Sequence, residues 1–188
     1  MVGVVGGRDG DLAAAVAQVL GTDGGVTGAG FLAGDDVVVT CAHVARDAGA
    51  RPGRELGLRF PHVEGAPVVP GWVVANGWRD PEGLDVAVVR LAGKPAGAQV
   101  LRLGSARGCR GHRVRSFGFP SQAPPDGHYG YGVAGDLLAV AGGGVVLQLT
   151  SANDLTRGFS GAPILDEVTE LVVGMVTAIT APESPRIR

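Results

Sequence analysis

Cysteine is scarce in this chain: 188 residues contain two, Cys41 and Cys109, far apart and without paired spacing. A small secreted domain held by bridges carries more, so a disulfide framework is excluded and both are expected as free thiols. Lysine is scarcer still, one against fifteen arginines, which reads as coding bias rather than chemistry. Charged residues make up 18% and the formal net charge is −2. No basic stripe is available, which argues against nucleic acid as a partner. No apolar run approaches membrane-spanning length. The opening Met1-Val2-Gly3-Val4-Val5-Gly6-Gly7 has neither a positive leading segment nor a sustained apolar stretch. No membrane partner and a cytoplasmic location are expected. The four histidines are scattered and show no ligand spacing with the two cysteines, so no metal and no organic cofactor is expected.

What the chain does have is 45% hydrophobic residues in short runs broken by 33 Gly and 12 Pro, the pattern of an all-β protein. At this length a buried core needs no stapling. Strands are expected at Ala14–Leu20, Val26–Leu32, Val37–Ala42, Leu56–Phe60, Val68–Ala75 and Asp85–Leu91. After Ala92-Gly93-Lys94-Pro95-Ala96-Gly97-Ala98, which has linker composition, they resume at Val100–Leu103, Arg113–Phe119, Val133–Ala141, Val145–Leu149, Ala162–Leu165 and Leu171–Ala178. Two sets of similar size suggest two β-barrels. The alanines of Asp11–Leu20 also favour helix, and there the alternation settles little.

Three residues stand out for chemistry. His43 follows the β-branched run Val37-Val38-Val39-Thr40, and at a strand end it would be held rigidly against the core. Asp85 opens the apolar strand Asp85–Leu91, where an inward acid is costly without a partner. Ser160 lies between Gly158 and Gly161, which permit a tight turn and close substrate approach. Each has a bland reading: a core histidine on a carbonyl, a turn aspartate, a polar residue in a glycine turn. Together they offer a nucleophile, a base and a carboxylate to orient the base.

The joint pattern carries a family resemblance. Thr40-Cys41-Ala42-His43 resembles the Thr-Ala-Ala-His motif of trypsin-like serine proteases, and Leu84-Asp85-Val86-Ala87-Val88-Val89-Arg90-Leu91 resembles their Asp-Ile-Ala-Leu-Leu-Lys-Leu strand. Gly158-Phe159-Ser160-Gly161-Ala162-Pro163 is similar to their Gly-Asp-Ser-Gly-Gly-Pro, and Gly28-Ala29-Gly30-Phe31-Leu32 to the strand before the histidine motif. The intervals, 42 residues from His43 to Asp85 and 75 from Asp85 to Ser160, fit a compact bacterial member such as the intracellular trypsin-like domains of multidomain proteins. The resemblance implies one peptidase domain over 1–188 with two packed antiparallel chymotrypsin-like β-barrels, 1–93 and 99–181, and a linker at 182–188. It makes His43 the general base, Asp85 its orienting carboxylate, Ser160 the nucleophile, and the amides of Gly158 and Ser160 the oxyanion hole.

Rival arrangements fail on chain order. An α/β-hydrolase places its Ser before its His, and no His follows Ser160. A subtilisin-like order needs an Asp ahead of the His, and Asp35 and Asp36 lie in a turn. Cys41, two residues from His43 on one strand, is not expected to turn its thiol to that ring. His62, His112 and His128 are read as surface residues.

The chain departs from the family pattern at two places. Phe159 stands where secreted members have the Asp that receives a freshly cut N-terminus, so Val4-Val5-Gly6-Gly7 cannot act that way. Val44 stands where they place a bridging Cys. For specificity, the resemblance puts Asp154, six residues before Ser160, at the floor of the primary pocket, where it would favour basic side chains, although a solvated loop Asp is its bland reading. It puts Thr177, Ala178 and Ile179 on the strand lining that pocket, where Ile179 would narrow the entrance in favour of small aliphatic residues. The expected partners are a polypeptide substrate and further domains or a regulatory partner. The rival reading is a protease-shaped binding or scaffold domain, inactive until a partner orders its site.

Overall fold

The computed structural model describes residues 9–121, 125–140 and 144–177. Helix α1 (Asp9–Ala15) leads into β1 (Val16–Leu20), β2 (Val26–Gly34) and β3 (Val37–Thr40). Helix α2 (Ala42–Asp47), β4 (Glu55–Arg59), β5 (Val68–Arg79) and β6 (Val86–Leu91) follow. These six strands close into a barrel in the order β1-β2-β3-β6-β5-β4. β7 (Arg113–Gly118), β8 (His128–Val140), β9 (Gly144–Thr150), β10 (Pro163–Asp166) and β11 (Leu171–Met175) form a second antiparallel sheet ordered β11-β10-β7-β8-β9. The all-β, two-unit class expected from the sequence is what folds. Among the described residues the second unit is a five-stranded half-barrel, whereas the first is closed. No helix of the described residues is long and apolar enough to cross a membrane.

Three local expectations are corrected. The strand expected from Ala14 begins at Val16, and Asp9–Ala15 is helical, because the consecutive alanines favour helix. Val100–Leu103 forms only a single bridge, Leu103 to Val172. Its backbone is used in both directions instead, since the Leu101 amide donates to the Leu32 carbonyl at 2.9 Å and the Val172 amide to the Arg102 carbonyl at 2.9 Å. His43 does not end a strand: β3 stops at Thr40 and His43 lies in the first turn of α2. That helix ends through Gly49, whose φ of 85° lets its amide reach Arg46 and the Ala50 amide reach Ala45, both at 2.9 Å.

Two cores result. One fills the closed barrel around Phe60, Leu58, Leu32 and Val89. The other joins the sheet to the outer face of β1 and β2, with Phe159, Phe117 and Ile164 packed against Val16, Ala29 and Phe31. Phe159 is fully buried, and two glycines make its space: a Cβ on Gly118 would lie 2.6 Å from its ring, and one on Gly130 3.1 Å. The residue beside Ser160 is therefore a core anchor. Phe159→Ala should lower stability by about 3–5 kcal/mol, as for other fully buried phenylalanines, measured by urea denaturation.

Candidate active site

Asp85 precedes β6 after the turn at 80–84, its amide donating to the Asp80 carbonyl at 3.1 Å. Its φ is 52°, a left-handed conformation that short polar side chains tolerate better than most. The buried carboxylate faces the start of α2. Oδ1 accepts the His43 amide at 2.9 Å, and Oδ2 lies 2.6 Å from His43 Nδ1. Both oxygens are thus committed to one residue, which fixes the imidazole plane and assigns the Nδ1 proton to Asp85. The His43 side chain is 25% exposed, so the other edge of the ring remains accessible. The hydrogen bond to Asp85 holds His43 above the ordinary imidazole range. Burial works against that rise and the Asp85 charge adds to it.

The Ser160 segment comes from the other sheet and is seated on the first barrel by backbone contacts. The Ala29 amide donates to the Ser160 carbonyl and the Gly161 amide to the Val176 carbonyl, both at 2.8 Å, while Thr40 Oγ1 donates to the Ala29 carbonyl at 2.6 Å. Gly161, at φ 85°, presses against that carbonyl, and a Cβ there would also lie 2.7 Å from Thr40 Oγ1. The Ser160 backbone is thereby tied to β2, whose neighbour β3 ends at Thr40, three residues before His43. Ser160 is half-buried, as is Gly158. Gly158 has φ 102° and donates nothing to Phe119; instead its carbonyl accepts the Phe119 amide at 3.0 Å, and a Cβ would meet Phe119 and Pro120 backbone at 2.5 Å. Only glycine fits there.

Of the residues assigned to substrate, Asp154 is exposed and Thr177 half-buried. Thr177 follows Val176, whose amide donates to Ala162 at 2.9 Å and whose carbonyl accepts from Gly161, so it continues alongside the serine turn. Ala178 and Ile179 lie outside the described residues, as do Val4-Val5-Gly6-Gly7 and 182–188.

Two expectations about the remaining polar residues are overturned. Cys41, expected to point away from His43, has its Sγ within 4.8 Å of donor atoms of both His43 and Asp85, because the chain turns into α2 immediately after it. The thiol lies 3.3 Å from the Val176 carbonyl, so it spans from the carboxylate to the strand behind the serine turn. Burial, with the Asp85 charge beside it, pushes the thiol far up, which keeps it protonated and unsuited to act as a nucleophile. His112 is not a simple surface residue. It is half-buried and binds the fully buried Asp166, with Cys109 beside them. Scatter along the sequence therefore does not carry over into space, and two Cys-His-Asp groups form. The C-x2-H spacing in Gly108-Cys109-Arg110-Gly111-His112 was the available signal for the second. His128 is half-buried with its ring 5.4 Å from Phe159. His62 is exposed as expected, its Nε2 2.7 Å from the Asp126 carbonyl. Both cysteines are free, as expected.

The model of the trypsin-like peptidase domain matches residues 28–175, most of the chain. The chain belongs to the trypsin-like peptidase family. A comparison with curated protein sequences finds no match. Among solved structures, this trypsin-like chain is similar to the HtrA-type protease AlgW with decapeptide, at TM-score 0.68 and 17% identity over 92% of this chain and 58% of that one. It is similar to the MamO protease domain from Magnetospirillum magneticum, TM-score 0.62 and 20% identity over 92% and 88%. It is also similar to an inactive form of the Rv3671c protease, TM-score 0.66 and 21% identity over 93% and 81%. At these identities the likeness is one of fold, and the chain spans just over half of the AlgW structure.

The His43–Asp85 pair generates a pH signature. A histidine raised on folding stabilises fully below its unfolded value of about 6.5 and loses that contribution as pH rises through the folded value. The difference in unfolding free energy between wild type and Asp85→Asn should therefore shrink from pH 6 towards pH 9, as measured by denaturant titration. NMR should show the His43 pKa above that of the variant.

Proposed function

We propose that this trypsin-like peptidase domain is a serine endopeptidase that hydrolyses peptide bonds through an acyl-enzyme on Ser160. The observation that carries the reading is the two-point hold of Asp85 on His43. With Nδ1–H donated to Asp85, Nε2 is the basic edge of the ring and takes the Ser160 hydroxyl proton as Oγ attacks the scissile carbonyl. The imidazolium so formed is stabilised by Asp85 and returns its proton to the leaving amine. Water then repeats the sequence on the ester. The Phe159 amide is occupied by the Thr156 carbonyl at 3.2 Å, and the amides of Gly158 and Ser160 on either side are the ones proposed to receive the oxyanion. Such donors act as charge develops, each accounting for about 10²–10³ in rate. No metal or organic cofactor has a role in these steps.

The substrate class is a polypeptide, in line with relatives whose structures carry a decapeptide or a tripeptide. Since a relative of the same fold is described as an inactive form, the rival reading of a partner-activated or scaffold domain is decided by labelling. A fluorophosphonate probe should react with wild type and not with Ser160→Ala or His43→Ala, while circular dichroism shows the variants folded. A wild type that never labels favours the scaffold reading; labelling that survives in Ser160→Ala removes the assignment of the nucleophile.

For specificity, exposure of Asp154 favours a solvated role over a charged pocket floor, and we assign the narrowing of the pocket to Ile179 with Thr177 and Ala178. Cleavage of a peptide library should follow small aliphatic residues, and Asp154→Ser should change the profile by less than about threefold. A desolvated charge pair lost from one side costs about 2–5 kcal/mol. Strong cleavage after Arg or Lys, erased by Asp154→Ser, overturns this assignment.

A further inference from the structure

At the far end of β10, away from His43 and Ser160, three unlike donors converge. Cys109 Sγ lies 3.6 Å from Asp166 Oδ2, and His112 Nδ1 lies 3.1 Å from each Asp166 oxygen. The local backbone is built to bring them there. Two consecutive turns, with the Cys109 amide on the Ala106 carbonyl at 3.2 Å and the His112 amide on the Cys109 carbonyl at 2.9 Å, place the first and fourth residues of Cys-Arg-Gly-His on one side. Gly108 and Gly111, at φ 86° and 83°, allow that path. Asp166 is fully buried at the end of β10. Its Oδ1 accepts the Val168 amide at 3.1 Å and its Oδ2 the Thr169 hydroxyl at 2.8 Å, which fixes the carboxylate plane from one side. The remaining lone pairs face Cys109 and His112.

A tetrahedral cation with bonds of about 2.3 Å to sulfur and 2.0–2.2 Å to nitrogen and oxygen needs donors roughly 3.2–3.6 Å apart. The separations at Asp166, 3.1 and 3.6 Å, lie close to that range. The other Cys-His-Asp group does not fit: its 2.6 Å separation between His43 Nδ1 and Asp85 Oδ2 is that of a hydrogen bond with no room for an ion between. We propose that Cys109, His112 and Asp166 form a site for a borderline-soft divalent cation of the zinc type. Thiolate, imidazole and carboxylate together select such an ion over magnesium or calcium, which take oxygen donors. The His112 side chain is 28% exposed, so ions can enter and water can complete the tetrahedron. A bound ion offsets the repulsion between buried thiolate and carboxylate. It also ties the 105–112 turn to the β10–β11 hairpin, whose first strand runs back to the serine turn.

Without an ion, the same three residues would form a hydrogen-bonded set in which thiol and imidazole donate to the Asp166 carboxylate. Titration of the full chain with cobalt(II), used as a spectroscopic stand-in for zinc, separates the two. Wild type should take up one equivalent with a thiolate-to-cobalt charge-transfer band and the visible spectrum of a tetrahedral ion. The bands should persist in Cys41→Ser and vanish in Cys109→Ser. His112→Ala, altered at a partly exposed position, should bind at least about tenfold more weakly while keeping its fold by circular dichroism. Absence of a thiolate band in wild type at saturating cobalt overturns the proposal, and so does a band that survives in Cys109→Ser or disappears in Cys41→Ser.

Discussion

The Ala29 amide donates to the Ser160 carbonyl at 2.8 Å, and the carbonyl of the same Ala29 receives the Thr40 hydroxyl at 2.6 Å while Gly161 packs against it. One residue of β2 thereby bonds both the serine turn of the second sheet and the end of the strand that leads to His43. Such buried backbone groups are costly to leave unpaired, so the bond from Ala29 to Ser160 resists a shift of the two units at this point. The glycines at 28 and 161 follow from the same constraint. A Cβ at Gly28 would lie 2.9 Å from the Ser160 carbonyl oxygen, so side chains are excluded where the two backbones meet.

Asp85 shows how a buried charge is accommodated. It receives two donors from His43 alone, and Cys41 lies on its other side with the thiol reaching the Val176 carbonyl. Removing a partner would leave an acceptor buried, which costs far more than the net gain of making the bond. The left-handed backbone at Asp85 adds a local strain that these bonds outweigh. Orientation of the histidine is thus set by the packing of α2 against β6, and not by the strand end that the β-branched run suggested.

The second sheet repeats the same solution with different geometry. Asp166 is buried at a strand end and is held below the ordinary carboxylate range: burial alone would raise it, and the Thr169 hydroxyl, His112 and the Val168 amide together outweigh that. In the first barrel the imidazole and carboxylate close to a single short bond. In the second they stay apart with the thiol alongside. The difference lies in local chain path, a helix start after Cys41 against two glycine-assisted turns around Cys109.

Much of this was legible in the sequence. Short β-branched runs between glycines and prolines pointed to twelve strands, of which eleven form close to the expected bounds, because a period of two and turn chemistry are local properties. The motifs around His43, Asp85 and Ser160 named the residues and the chain order. What only the tertiary structure decided is contact between segments far apart in sequence. Periodicity reports which face of an element is buried, but not what it is buried against. Hence Cys41 beside Asp85 and the serine turn on Ala29 had no signature in spacing, and the C-x2-H spacing of Cys109 and His112 did not point to Asp166. The helix at Ala42–Asp47 was hidden for the same reason: six residues are too few for propensity to outweigh the preceding strand pattern, and the capping bonds of Gly49 and Ala50 with packing of Val44 and Ala45 in the barrel core hold it in place.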